Sequence, residues 1–210
     1  MYVAIEGVIG VGKTTLARLL QPRFEAEILL EIFEENPFLS DFYADRKRYA
    51  FQTQIFFLLS RYRQQNSNVP EILATGKNLL ADYTFAKDAL FAGINLDGDE
   101  LEMYHKVHEA LGEKIPDPDL IVYLQASTDT LMQRIAFRDR SYERQMEREY
   151  IDELNQAYEQ FFTKPYNGTQ ILRIETDDLN VIQNPEHLRL IENRIRQSLG
   201  LPPYQPGLPI

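Results

Sequence analysis

Two rhythms of apolar and polar positions alternate along this chain. Short, largely apolar runs occur at Tyr2–Glu6, Glu27–Leu30, Asn78–Asp82, Leu120–Leu124 and Gln170–Ile174. Between them lie longer stretches with apolar residues three and four positions apart. The stretch Asp45–Gln65 carries Tyr49, Phe51, Ile55, Phe56, Leu58, Leu59 and Tyr62 in this way, and Asp99–Glu113, Asp129–Phe137, Glu147–Phe162 and Pro185–Leu199 follow the same pattern. Short apolar runs mark strands and the longer period marks helices. Strands separated by long helices predict βαβ units, hence an α/β fold with a five-stranded parallel sheet flanked by helices. The runs Leu79-Leu80-Ala81 and Leu120-Ile121-Val122-Tyr123-Leu124 suit strands covered on both faces. Ligands of such sheets bind beyond the carboxyl ends of the strands. Glu6, Glu31 and Asp82, at three predicted strand ends, are therefore expected to border a site.

Residues 1–200 read as one domain. Leu201-Pro202-Pro203-Tyr204-Gln205-Pro206-Gly207-Leu208-Pro209-Ile210 is a Pro-rich tail that cannot continue a helix, and it is expected to lie on the surface or on a partner subunit. The chain has 44% apolar and 26% charged residues, as soluble domains do. Its 32 acidic residues against 22 basic ones give a net charge of −10. That balance argues against a nucleic-acid partner, whose binding rests on neutralising phosphates. The absence of cysteine excludes disulfides and thiolate metal sites. There is no leader pattern and no apolar run long enough to span a membrane, so a cytoplasmic location without membrane contact is expected.

One stretch carries explicit chemistry. Gly7-Val8-Ile9-Gly10-Val11-Gly12-Lys13-Thr14 fits G-x-x-x-x-G-K-[ST], the P-loop, between a predicted strand and a helix opening at Thr14-Thr15-Leu16. Gly7, Gly10 and Gly12 let backbone N–H groups turn inward around an anion, and the helix N-terminus adds Thr15 and its neighbours as donors. Lys13 is expected on the β and γ phosphates of ATP and the Thr14 hydroxyl on Mg²⁺. Asp82 suits a second metal contact opposite that loop, or a cap for a helix starting near Thr84. Glu31 is placed to orient an acceptor hydroxyl and take its proton. Glu34 and Glu35 compete with it but suit the first turn of the next helix. Arg134, Arg138 and Arg140, extended by Arg144 and Arg148, suit an arginine-rich lid over a transferred phosphoryl group. The acids between them equally suit a solvated helix. Gln54 and Arg61 share a helical face, and Arg61 with Asp88 could form a base-reading or a structural pair. His105 and His108 lack further ligand spacing and read as surface residues.

Glu31, Asn36-Pro37-Phe38-Leu39, Tyr43, Phe51-Gln52-Thr53-Gln54, Ser60-Arg61, Asp82, Asp88 and Arg134-Ile135-Ala136-Phe137-Arg138-Asp139-Arg140-Ser141-Tyr142-Glu143 resemble the deoxynucleoside kinases in order and spacing. The resemblance runs from the P-loop to about Phe162. It implies a P-loop NTPase fold with a lid at about 138–146, and transfer of a phosphoryl group from ATP, with Mg²⁺, to a deoxynucleoside 5′-hydroxyl. It implies Glu31 as the general base, with Lys13, Arg138 and Arg140 as the other catalytic groups. Tyr43 and Glu143 would hold the sugar 3′-hydroxyl, Gln54 would pair with the base, and Arg61 and Asp88 would face its far edge. Arg134 and Arg138 would contact ATP, with adenine near Glu175-Thr176-Asp177-Asp178. A homodimer is also implied. The family usually has arginine directly after the acid of the third strand; here Tyr83 stands there, which leaves Arg140, another lid arginine or a different geometry to supply the charge.

Arg61 and Asp88 favour deoxyadenosine or deoxyguanosine, then deoxycytidine, because a thymidine site should present apolar residues to the methyl group. Two rivals stay open on the residues alone. A thymidylate-type monophosphate kinase would need an extra cation for the acceptor phosphate, such as Arg46, Lys47 or Arg48. A nucleotide-binding switch would need the N-K-x-D and Asp-x-x-Gly signatures, which the chain lacks.

Overall fold

The computed structural model describes residues 1–32, 35–163 and 166–204. Five strands form one parallel sheet: β1 (Tyr2–Glu6), β2 (Ala26–Leu29), β3 (Asn78–Ala81), β4 (Leu120–Gln125) and β5 (Gln170–Glu175). Their spatial order is β2-β3-β1-β4-β5. This order positions the site. It sets the carboxyl ends of β2, β3 and β1 side by side, so Glu31, Asp82 and the P-loop leave the sheet as neighbours. The ends of β4 and β5 flank the loop on its other side. β1 is wholly buried, as expected for the middle of a sheet covered on both faces.

The helices are α1 (Lys13–Leu20), α2 (Leu39–Ala44), α3 (Arg46–Ala74), α4 (Ala86–Asn95), α5 (Gly98–Gly112), α6 (Thr128–Arg138), α7 (Arg148–Phe161) and α8 (Pro185–Ser198). Most expected elements are recovered within a residue or two. The exception is α3, which runs to Ala74 through Pro70 rather than stopping at Gln65. A helical proline forfeits a hydrogen bond, but the apolar face continues through it. Val69, Ile72 and Leu73 pack with Tyr2, Leu29, Leu79 and Tyr83 in a second core cluster beneath α3. Several helices start on side-chain caps: the Asp45 carboxylate accepts from the Arg48 amide, Ser127 from Thr130 and Asn184 from Glu186.

The first-turn acid of α2 is Asp41. Glu35 lies ahead of that helix rather than in its first turn, and Glu34 lies outside the described residues, as does most of the Pro-rich tail. Tyr204, the last described residue, is anchored: its amide donates to Asn193, and its ring receives the guanidinium groups of Arg23 and Arg196. Among the described residues no helix is long and apolar enough to cross a membrane.

Candidate active site

The P-loop wraps from β1 into α1, and two of its glycines are required sterically. Gly7 has φ +145°, and a Cβ there would stand 2.5 Å from the Leu124 carbonyl oxygen. Gly10 has φ +89°, and a Cβ there would stand 2.8 Å from Ile135 Cγ1 and 3.0 Å from the Leu131 oxygen. The loop thus lies tight against β4 and α6. Lys13 curls back over it and donates to the carbonyls of Gly7 at 2.6 Å and Val8 at 3.1 Å. Burial and the nearby Lys87 ammonium bring its pKa down to about 8, against the opposing pull of Glu6, Glu31 and Asp82.

Asp82 joins this loop to the next strand end. Its Oδ2 accepts the Thr14 hydroxyl, and its Oδ1 accepts the Glu31 amide at 2.8 Å. Asp82 therefore sits between the phosphate loop and Glu31, rather than capping α4. Glu6 instead holds Thr84, ahead of that helix: its Oε1 accepts the Thr84 amide at 2.6 Å and the Thr84 hydroxyl at 2.8 Å. Glu6 is completely buried, and its Oε2 faces the Tyr158 hydroxyl at 3.2 Å. It supports the site from beneath and does not line it, which corrects the expectation drawn from its strand-end position.

One pocket gathers residues from distant parts of the chain. Gly10, Lys13, Thr14, Glu31, Tyr43, Gln54, Arg61, Asp82, Arg138, Arg140 and Glu143 line it, together with Lys87 and the apolar walls Leu39, Phe42, Phe57 and Phe91. Tyr43 and Tyr142 stack with their rings 6.4 Å apart. The Gln54 carbonyl oxygen is buried with no hydrogen-bond partner among the described residues, an arrangement that asks for a donor from a ligand.

Glu31 has its two oxygens shared between two cations. Arg61 donates to Oε1 through Nε at 3.0 Å and through Nη2, and the Lys87 ammonium donates to Oε2 at 2.6 Å. Burial pushes the Glu31 carboxyl up, but Arg61 and Lys87 outweigh it and hold it well below the usual carboxylate range. The remaining fork of Arg61 pairs with Asp88, which is fully buried and keeps Oδ2 without a partner among the described residues. Arg61 thus reaches the pocket, whereas Asp88 stands behind it.

The arginine run divides in the structure. Arg138 grips Glu143 through Nε at 2.7 Å and through Nη2, with Arg140 3.7 Å from the same carboxylate. Arg134 does not line the pocket. It ties the Val11 carbonyl at 3.2 Å to the Thr176 hydroxyl at 3.0 Å and the Thr176 carbonyl at 2.6 Å, bracing the P-loop against the segment after β5. Asp177, in that segment, accepts from the amide and hydroxyl of Ser127. Arg144 pairs with Asp139 and Arg148 with Asp129 on the solvated face. His108 is not a plain surface residue: it stacks on Phe85 and Tyr104. Arg46 bonds Asn95 and Glu153 outside the pocket.

Two placements do not follow from the sequence. Tyr83 does not face the pocket; it packs in the second core cluster, and its hydroxyl bonds Gln64. Lys87 lines the pocket although no motif marks it. Its signal was present: Lys87-Asp88 is a charged pair inside the apolar run Phe85-Ala86…Ala89-Leu90-Phe91-Ala92, and charges in such a run are seldom buried without partners.

A thymidylate-type acceptor phosphate would call for a cation among Arg46, Lys47 and Arg48, and none of these lines the pocket. The deoxynucleoside kinase family model matches residues 3–199. The chain is 40% identical over 158 residues to a deoxyguanosine kinase of Bacillus subtilis (strain 168), covering 75% of this chain and 76% of that protein. It is 33% identical over 192 residues to a deoxyadenosine kinase of Dictyostelium discoideum, covering 89% and 76%. The solved structure of deoxyadenosine kinase from M. mycoides with bound dATP superposes with a TM-score of 0.81 at 27% identity, covering 93% of this chain and 99% of that one.

Proposed function

This chain belongs to the deoxynucleoside kinase family, and we propose that it transfers the γ-phosphoryl group of ATP to the 5′-hydroxyl of a purine deoxynucleoside. The observation that carries this reading is the Asp82 carboxylate, which bonds the P-loop through Thr14 and the acceptor side through the Glu31 amide. Donor and acceptor groups are thereby fixed to one short bridge, as in-line transfer requires.

In this reading the P-loop amides and Lys13 hold the triphosphate, and the nucleoside lies between Gln54 and Tyr43 with its 5′-hydroxyl toward Glu31. The low pKa of Glu31 shapes its role. A carboxylate held so firmly charged is a weak base, so it acts chiefly by orienting the hydroxyl and receives the proton late. That suits a loose phosphoryl-transfer transition state, in which the nucleophile needs little activation beforehand. Arg138 and Arg140 supply positive charge from the opposite wall, as a lid over 138–146. Glu143, which Arg138 grips, and Tyr43 take the sugar 3′-hydroxyl. Arg134 and Asp177 shape the adenine end.

The Thr14 hydroxyl and the Asp82 carboxylate fit Mg²⁺, which takes oxygen ligands and few of them from the protein when phosphates supply the rest. Bound there, Mg²⁺ would neutralise phosphate charge. The purine preference rests on the partnerless Gln54 oxygen, which suits an exocyclic amine, and on the Arg61–Asp88 pair beyond it. Deoxycytidine offers a similar amine and ranks second. The expected homodimer is supported by Leu59 and Met103, large apolar side chains exposed on the neighbouring helices α3 and α5.

A panel of the four deoxynucleosides and their ribose and monophosphate counterparts, assayed with ATP and Mg²⁺, tests the reading. Deoxyadenosine and deoxyguanosine should lead. A protein active only on monophosphates, or on no acceptor at all, would overturn it.

A further inference from the structure

Lys87 stands where a lysine is costly. It is the second residue of α4, at the end of the helix that carries partial positive charge, and only 6% of its side chain is exposed. Helix dipole and burial both oppose an ammonium there. What offsets them is Glu31, with Lys87 Nζ 2.6 Å from Oε2. The Phe91 ring adds a contact 5.4 Å from the ammonium. No other side-chain hydrogen bond of Lys87 is seen among the described residues, and its side chain lines the pocket.

The two cations on Glu31 hold it differently. Arg61 is itself fixed by Asp88 and grips Oε1 as a planar fork. Lys87 is a point charge from another helix, on the other oxygen. One partner alone would leave the carboxylate free to swing about that contact; two on opposite oxygens fix its plane. Tyr83 contributes no charge and is committed to the core beneath α3.

We propose that Lys87 is the positioning residue for Glu31, fixing the orientation of the carboxylate that receives the nucleoside 5′-hydroxyl. The inference rests on the function proposed above. Also within electrostatic reach of Glu31 are Arg61 of α3, Asp88 of α4, Lys13 of α1, Asp82 and Tyr83 beyond β3, and Tyr158 of α7.

The chain has no cysteine, so Lys87→Cys introduces a single thiol that 2-bromoethylamine converts into a lysine-like ammonium at that position alone. Lys87→Met should lower kcat about 100-fold, as a small misplacement of a reacting group does, with KM for ATP and deoxynucleoside within about threefold. Aminoethylated Lys87→Cys should recover most of the loss, and it carries the test if Lys87→Met does not fold. A kcat for Lys87→Met within about fivefold of wild type, or no recovery in an aminoethylated protein of normal melting temperature, overturns the proposal. The Glu31 carboxyl ¹³C signal, assigned with Glu31→Gln, gives a reading independent of turnover. Its position at pH 7 should differ between wild type and Lys87→Met, where one carboxylate oxygen loses its cation, and an unmoved signal also overturns the proposal. A wild-type protein that phosphorylates no deoxynucleoside would instead remove the proposed function and leave Lys87 to be judged on that signal.

Discussion

The backbone amide of Glu31 donates to the Oδ1 of Asp82 at 2.8 Å, which ties the segment after β2 to the end of β3. The other oxygen of Asp82 takes the Thr14 hydroxyl. One side chain therefore sets the spacing between the phosphate loop and the carboxylate that faces the acceptor.

Asp82→Asn keeps the shape of this bridge and removes its charge. The Mg²⁺ concentration giving half-maximal rate should rise at least about tenfold, the usual scale for losing or weakening a metal-site partner. A Mg²⁺ titration of the kinase rate reads this directly, and an unchanged midpoint would take Asp82 out of the metal site.

Arg61 and Asp88 form a buried pair, 5% and 0% exposed. Arg61→Ala should cost about 3–5 kcal/mol in urea unfolding, because it strands Asp88 as an unpaired buried charge. Arg61→Ala with Asp88→Ala together should cost clearly less than the sum of the single changes. Turnover of Arg61→Ala should fall for every base, since Arg61 also holds Glu31, and the ranking among bases should shift with it. Additive unfolding energies would show that the pair is not coupled.

The pKa of Lys13, brought down to about 8 by burial and Lys87, predicts proton uptake on ATP binding. At pH 8 the free protein carries the charged lysine about half the time, whereas triphosphate favours the charged form, so binding should take up about half a proton. ATP affinity should accordingly weaken as pH rises above 8. Calorimetry in buffers of different ionisation heat measures the uptake, which should vanish in Lys13→Met. Equal uptake in that variant would place the proton elsewhere.

Gly10→Ala combines a left-handed backbone with a Cβ 2.8 Å from Ile135 Cγ1. It should lower stability by about 1–3 kcal/mol, the cost of a strained backbone position, and raise KM for ATP. Thermal melts with and without ATP test it; an unaffected protein would mean that the loop and α6 can separate freely.

Much of this was legible beforehand because it is local. The P-loop is contiguous, and the β4 run Leu120–Leu124 needs no partner to read as a buried strand. Glu31 and Asp82 were identifiable as strand-end acids. What could not be read was the strand order, which decides that the ends of β2, β3 and β1 are neighbours. Glu6 shows the consequence: it shares the strand-end signature of Asp82, yet it points into the core toward Thr84 and Tyr158. Arg134 and Arg138 lie four residues apart on one helix, but one braces Thr176 while the other grips Glu143. Charge spacing along α6 carries no information about these distant partners. Lys87 belongs to no motif, and only its contact with Glu31 gives it meaning.

The central claim is that Glu31 receives the acceptor hydroxyl, and Glu31→Gln tests it most directly. The substitution keeps the volume and one acceptor oxygen but removes the charge and the site for the proton. Single-turnover phosphorylation of deoxyadenosine and deoxyguanosine should slow by about 10²–10⁴-fold, the range for losing a general base, while deoxynucleoside binding measured by calorimetry stays within about threefold of wild type. A phosphoryl-transfer rate within about tenfold of wild type in that variant would contradict the account.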